Sequence, residues 1–151
     1  MSMRTRVVGI GQRAAGDDGV GIAVIEELRR HRLPEGTALV HLADPMGLVS
    51  LLESEERVVL VDAVVASPSG VVVELGPEEL SNQASQPASS HGLGAAQAIE
   101  LARALSLRAT QDLRVVAITI GRPDRYRVGL SPEVAAAVPK AADHVLELLG
   151  D

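Results

Sequence analysis

Asp18, Asp62 and His91 are distant in the chain, yet each falls where a strand is predicted to end. Asp18 lies in Gly16-Asp17-Asp18-Gly19, Asp62 follows Val58-Val59-Leu60-Val61, and His91 sits in Ser89-Ser90-His91-Gly92-Leu93-Gly94. Carboxylates and an imidazole offer oxygen and nitrogen donors to a divalent metal, and a set this small leaves coordination positions open. In an open α/β sheet, polar residues at the carboxyl ends of the strands converge on the ligand crevice.

Each residue also has an ordinary use. An aspartate opening a helix usually caps it, so Asp17 and Asp18 can divide the work, one capping and the other facing the crevice. A histidine just before a helix can serve a cap as well. Asp62 is harder to explain away, because an acid at the end of a buried aliphatic run needs a hydrogen-bond, charge or metal partner. His91 differs from the remaining histidines in its glycine and serine neighbours, where backbone can approach a ligand. His31 and His144 lie on helices among charged residues and His41 in a strand, so solvated or packed roles suffice for them.

The elements that must position these residues follow from hydrophobic period and turn chemistry. Val7 to Ile10 reads as a buried strand, followed by a glycine-rich loop through Gly21. Val20, Val24, Ile25 and Leu28 recur at helical spacing. Pro34-Glu35-Gly36 ends that helix and launches a strand from Thr37 to Leu42. Asp44 and Pro45 suit an N-cap and a first helical turn, opening a short helix to about Ser54. Arg57 to Val64 is apolar apart from Asp62, the pattern of a strand buried on both faces. A tight turn at Ser67-Pro68-Ser69-Gly70 returns Val71 to Leu75 as a neighbouring antiparallel strand. Residues 76–90 are irregular, and a helix from Leu93 to Leu105 and a strand from Leu113 to Ile120 follow. Ser131-Pro132-Glu133 opens a final helix that Pro139 is expected to kink. This order predicts an α/β fold, a three-layer α/β/α sandwich around a mostly parallel sheet of about five strands, one of them antiparallel.

Composition narrows the function. The chain has 151 residues, 46% of them apolar, with no Phe, Trp or Cys and a single tyrosine, Tyr126. A core of Val, Leu, Ile and Ala suits a buried sheet under aliphatic helices. The net charge is −6, and the bases are scattered or paired with acids. Without a basic stripe or stacking aromatics, nucleic-acid binding is not expected. The absence of cysteine removes disulfides, thiolate nucleophiles and Cys-based zinc sites. Met1 to Arg6 leads into a short apolar run that soon meets glycine, which matches neither a signal peptide nor a membrane span, so a cytoplasmic protein is expected.

Gly9-Ile10-Gly11-Gln12-Arg13-Ala14 formally matches a dinucleotide-binding loop. Such a loop turns straight into a helix whose N-terminus meets a diphosphate. Here Gly16-Asp17-Asp18-Gly19 delays the helix and places two acids where the diphosphate would sit. The ribose-binding acid, due about 20 residues past the motif, is also misplaced at Asp44.

The ordered segments Gly9-Ile10-Gly11, Gly16-Asp17-Asp18-Gly19-Val20-Gly21, Leu60-Val61-Asp62-Ala63, Ser90-His91-Gly92-Leu93 and Gly129-Leu130-Ser131-Pro132 span nearly the whole chain. In this order they resemble the hydrogenase maturation endopeptidases, which trim the C-terminal extension from the large subunit of nickel–iron hydrogenases. The resemblance implies a single domain over residues 1–151 and a peptidase acting on a nickel–iron hydrogenase large-subunit precursor after nickel insertion. Asp18, Asp62 and His91 are implied as the metal-contacting and catalytic residues. The nickel is implied to arrive with the substrate as a recognition signal rather than to reside in the enzyme. An oxygen and nitrogen donor set without thiolate agrees with moderate affinity. Gripping the ion would position the scissile peptide, and a carboxylate or the ion would activate water or polarise the carbonyl. Ser89 and Ser90 adjoin His91, but chain neighbours rarely present a base correctly to a hydroxyl.

Two departures from the family pattern stand out: Gln12 where asparagine is common, and Ala43-Asp44-Pro45-Met46-Gly47 in place of a glycine-rich turn with a hydroxyl residue. They motivate an alternative, a non-catalytic nickel- or subunit-binding accessory protein. A nucleotide-binding α/β protein is the remaining reading.

Overall fold

Runs of Val, Ile, Leu and Ala build the sheet, and their alternation decides which layer each strand residue enters. The computed structural model describes residues 4–53, 56–76, 79, 95–105, 112–122 and 128–150. Among these, β1 (Thr5–Ile10) leads into a 3-10 helix (Arg13–Gly19) and then α1 (Val20–Leu28). There follow β2 (Thr37–Leu42), α2 (Gly47–Glu53), β3 (Arg57–Val65), β4 (Val72–Leu75), α3 (Ala95–Leu105), β5 (Leu113–Ile120) and α4 (Pro132–Leu149).

The five strands form one sheet in the order β2-β1-β3-β5-β4. β1 pairs in parallel with β2 and β3, β3 pairs in parallel with β5, and β4 runs antiparallel to β5. On one face Val7, Val59, Val61, Val116 and Ile118 pack against Val24 and Leu28 of α1 and Val138 and Val145 of α4. On the other, Val8, Leu60, Val64, Val115 and Ala117 meet Leu48 and Leu52 of α2 and Ala98 and Ile99 of α3. These two apolar layers enclose the sheet as the expected α/β/α sandwich.

Several local expectations are corrected. The segment after β1 does not run as an open loop to Gly21 but winds at once into the 3-10 helix. The antiparallel strand does not stay beside β3; the chain crosses over so that β4 pairs with β5 at the sheet edge. Pro139, where a kink is expected, lies inside α4, whose helical span runs on to Leu149. Asp44 does cap the turn before α2, accepting from the Met46 backbone N–H at 2.9 Å. The irregular segment 77–94, apart from Glu79, lies outside the described residues, and His91 lies within that segment.

Asp62 is not at the end of β3. The strand continues to Val65, paired with β5 through Val65↔Ile120, whereas its pairing with β1 stops at Gly9↔Val61. Asp62 therefore stands at the step where β1 ends and β3 continues. The expectation of a strand end was right for the neighbouring strand rather than for β3 itself.

Candidate active site

Gly11 opens the site. It adopts φ +148°, and a Cβ there would lie 2.1 Å from the carbonyl oxygen of Asp18. Only glycine allows the returning 3-10 helix to lie so close to the end of β1. Gly21 does the same one turn later, since its Cβ would meet the carbonyl oxygens of Ile10 at 2.6 Å and Val61 at 2.8 Å. The first helix is thus seated backbone to backbone on β1 and β3, next to Asp62.

The adjacent aspartates take opposite directions. Asp17 reaches the start of α4, accepting from the backbone N–H of Ser131 at 2.7 Å and from its hydroxyl at 2.8 Å. Ser131 occupies the N-cap of α4 but makes no side-chain bond to its own helix, because its hydroxyl is given to Asp17. An anion beside a helix N-terminus is also favoured by the helix dipole. Asp17 is therefore a tie between the first loop and the last helix.

Asp18 is buried, with 5% of its surface exposed. Its negative charge is felt at Asp62, which lies on β3 between Val61 and Ala63. Burial pushes the Asp62 carboxyl up to about 8 from an ordinary 3.8. The hydrogen bond from the Ala63 backbone N–H, 2.8 Å from Oδ1, opposes that rise, and the charge of Asp18 adds to it. Desolvation and a like charge disfavour the ionised form together. At neutral pH this makes Asp62 a carboxylic acid beside Asp18, able to give or take a proton, or to lose it to an arriving cation.

Of the residues singled out by sequence, the structure brings Asp18 and Asp62 together, while His91 lies outside the described residues. Ala95, which follows His91 by four positions, opens α3 on the sheet face that carries Leu60 and Val64. Asp62 shares their alternation and therefore that face. Among the described residues, no cluster of His, Asp and Glu large enough to hold a metal ion is complete. Sequence reasoning missed the Asp17–Ser131 tie and a bond between His41 Nε2 and the Gly11 carbonyl at 3.2 Å. Partners so far apart in sequence leave no local signal; only the acid next to Asp18 hinted that the two had separate tasks.

Comparisons with known proteins converge on one family. The family model described as hydrogenase maturation protease matches residues 22–148. The chain is similar to the protein FrxA of Pyrococcus furiosus, 31% identical over 89% of this chain and 96% of that one. It is also similar to the solved hydrogenase maturating endopeptidase HybD of Escherichia coli, with TM-score 0.81, 25% identity and coverage of 97% and 92%. The nickel–iron hydrogenase maturation protease HybD of Thermococcus kodakarensis gives TM-score 0.75 and 25% identity over 97% of this chain and 99% of that one. With the fold, the paired aspartates and a family match over most of its length, the chain belongs to the hydrogenase maturation proteases and is a peptidase of that family.

Proposed function

We propose that this peptidase removes the C-terminal extension of a nickel–iron hydrogenase large-subunit precursor after nickel has been inserted, and does so in the cytoplasm. The supporting observation is the juxtaposition of Asp18 and Asp62 at the step between β1 and β3. Desolvation and the charge of Asp18 raise the Asp62 carboxyl to about 8, a state that a divalent cation would relieve. The oxygen donors suit a cation held with moderate affinity, and the histidine expected to complete the set is His91. The nickel belongs to the substrate, which also bears the peptide to be cut.

In this reading Asp18 and Asp62, with His91, grip the precursor's ion and so fix the scissile peptide beside them. Asp62 releases its proton to solvent water as it engages the ion. A carboxylate oxygen not occupied by the ion takes a proton from water as the water oxygen attacks the carbonyl carbon. The C–N bond then breaks, and that proton passes to the departing amine. The ion itself supplies charge stabilisation to the carbonyl oxygen.

The test is a pair of incubations followed by mass spectrometry. Nickel-loaded precursor is expected to lose the mass of its C-terminal tail, and nickel-free precursor to stay intact. Equal cutting of both forms would remove nickel as the recognition signal, and no cutting of either would remove the assigned substrate.

A further inference from the structure

Gly11, against which Asp18 is seated, is itself held. Its backbone N–H donates to the carbonyl of Leu42 at 3.3 Å, and its carbonyl faces His41 Nε2 at 3.2 Å. Both backbone polar groups of Gly11 are thereby taken by the last two residues of β2. That strand pairs with β1 in the register Gly9↔His41 and Ile10↔Leu42, so its end is fixed to the same strand from which Gly11 departs. Gly11 in turn lies so close to Asp18 that a methyl group would not fit between them. No side chain stands between these backbones to absorb a shift. A displacement of the Gly11 peptide therefore passes directly to the main chain of Asp18.

His41 has no other assigned task. It is exposed, and its alternation along β2 places it with Leu39 on the α1 face rather than among the aliphatics under α2. An exposed imidazole does not need a backbone partner to satisfy it, since water would serve. The bond instead satisfies a carbonyl on a buried glycine in an unusual conformation, and a carbonyl can accept only from the ring nitrogen that carries a proton.

We propose that His41 is a positioning residue: its Nε2–H holds the Gly11 carbonyl and so fixes Asp18 against Asp62. The cleavage part of its test rests on the function proposed above, whereas the structural part does not. His41→Ala removes the donor, and His41→Gln returns an N–H at similar reach without the ring. Amide hydrogen exchange across residues 11–19 is expected to quicken about fivefold in H41A, as for a lost single hydrogen bond, and to return toward wild type in H41Q. With nickel-loaded precursor, kcat is expected to fall about tenfold in H41A while KM holds, and to recover in H41Q. Unchanged exchange in H41A overturns the proposal. Equal acceleration in both variants overturns it too, because ring bulk rather than the bond would then be responsible. A wild-type kcat in H41A likewise overturns it. Should wild-type protein leave the precursor intact, the cleavage reading falls, and the exchange rates still decide the role of His41.

Discussion

Asp62, to which the proposed function assigns a central part of the chemistry, also carries a cost in stability. The unfolded side chain titrates near 3.8 and the folded one near 8, so between these values the folded protein keeps a proton that the unfolded chain has released. Below the lower value both states are protonated and no penalty exists. As pH rises through the window stability is lost, and above about 8 the loss is complete. Asp62→Asn keeps an oxygen for the Ala63 N–H but cannot ionise. Denaturant midpoints measured from pH 5 to pH 8 are expected to show the variant gaining steadily on the wild type; parallel profiles would rule out the raised pKa. The same variant is expected to lose cleavage by about 100-fold or more, as for removal of a proton-transferring or ion-gripping carboxylate. This residue was legible in the sequence because a lone acid in an aliphatic run has to be explained. Asp17 was not. Its type and place fit a local cap, and only the fold shows that it serves a helix 114 positions away.

At the level of elements, the site is assembled by ties between segments remote in sequence. Asp17→Ala removes both bonds to Ser131, one of them from a backbone N–H and both to a charged acceptor. It is expected to cost about 2 kcal/mol in chemical denaturation, whereas Asp17→Asn keeps one acceptor oxygen and loses less. Gly21→Ala would force a methyl group against two backbone carbonyls that cannot swing away, Ile10 at 2.6 Å and Val61 at 2.8 Å. A loss of about 2 kcal/mol or more is expected, since overpacking against a sheet shifts backbone rather than side chains. Peptidase activity should fall with it, because the same glycine seats α1 beside Asp62. Strands and helices were readable from period and turn residues. The 3-10 helix was not, since the glycines and adjacent acids in Gly16-Asp17-Asp18-Gly19 read as a loop. Nor was the placement of β4 on β5, because a turn signal predicts reversal without naming which strand receives it.

For the whole molecule, the question is where the metal resides. The chain has no cysteine, and the paired carboxylates lie in a site that already holds one of them protonated at neutral pH. A cation must displace that proton, which weakens binding as pH falls, and no thiolate compensates. On the function proposed above, an ion delivered in a precursor, with its coordination partly filled and a peptide attached, suits this donor set better than a resident one. From this follows a metal-removal experiment. Enzyme treated with chelator and then desalted should process nickel-loaded precursor at the untreated rate, read by mass spectrometry of the shortened subunit. A loss that returns only when free metal is restored would instead mean a permanent metal centre. Cleavage should also rise with pH through neutrality toward about 8, because deprotonation of Asp62 is then no longer opposed by abundant protons. A flat cleavage profile across pH 6 to 8 would instead separate the proton on Asp62 from the cleavage step, leaving that carboxyl at most a part in holding the ion.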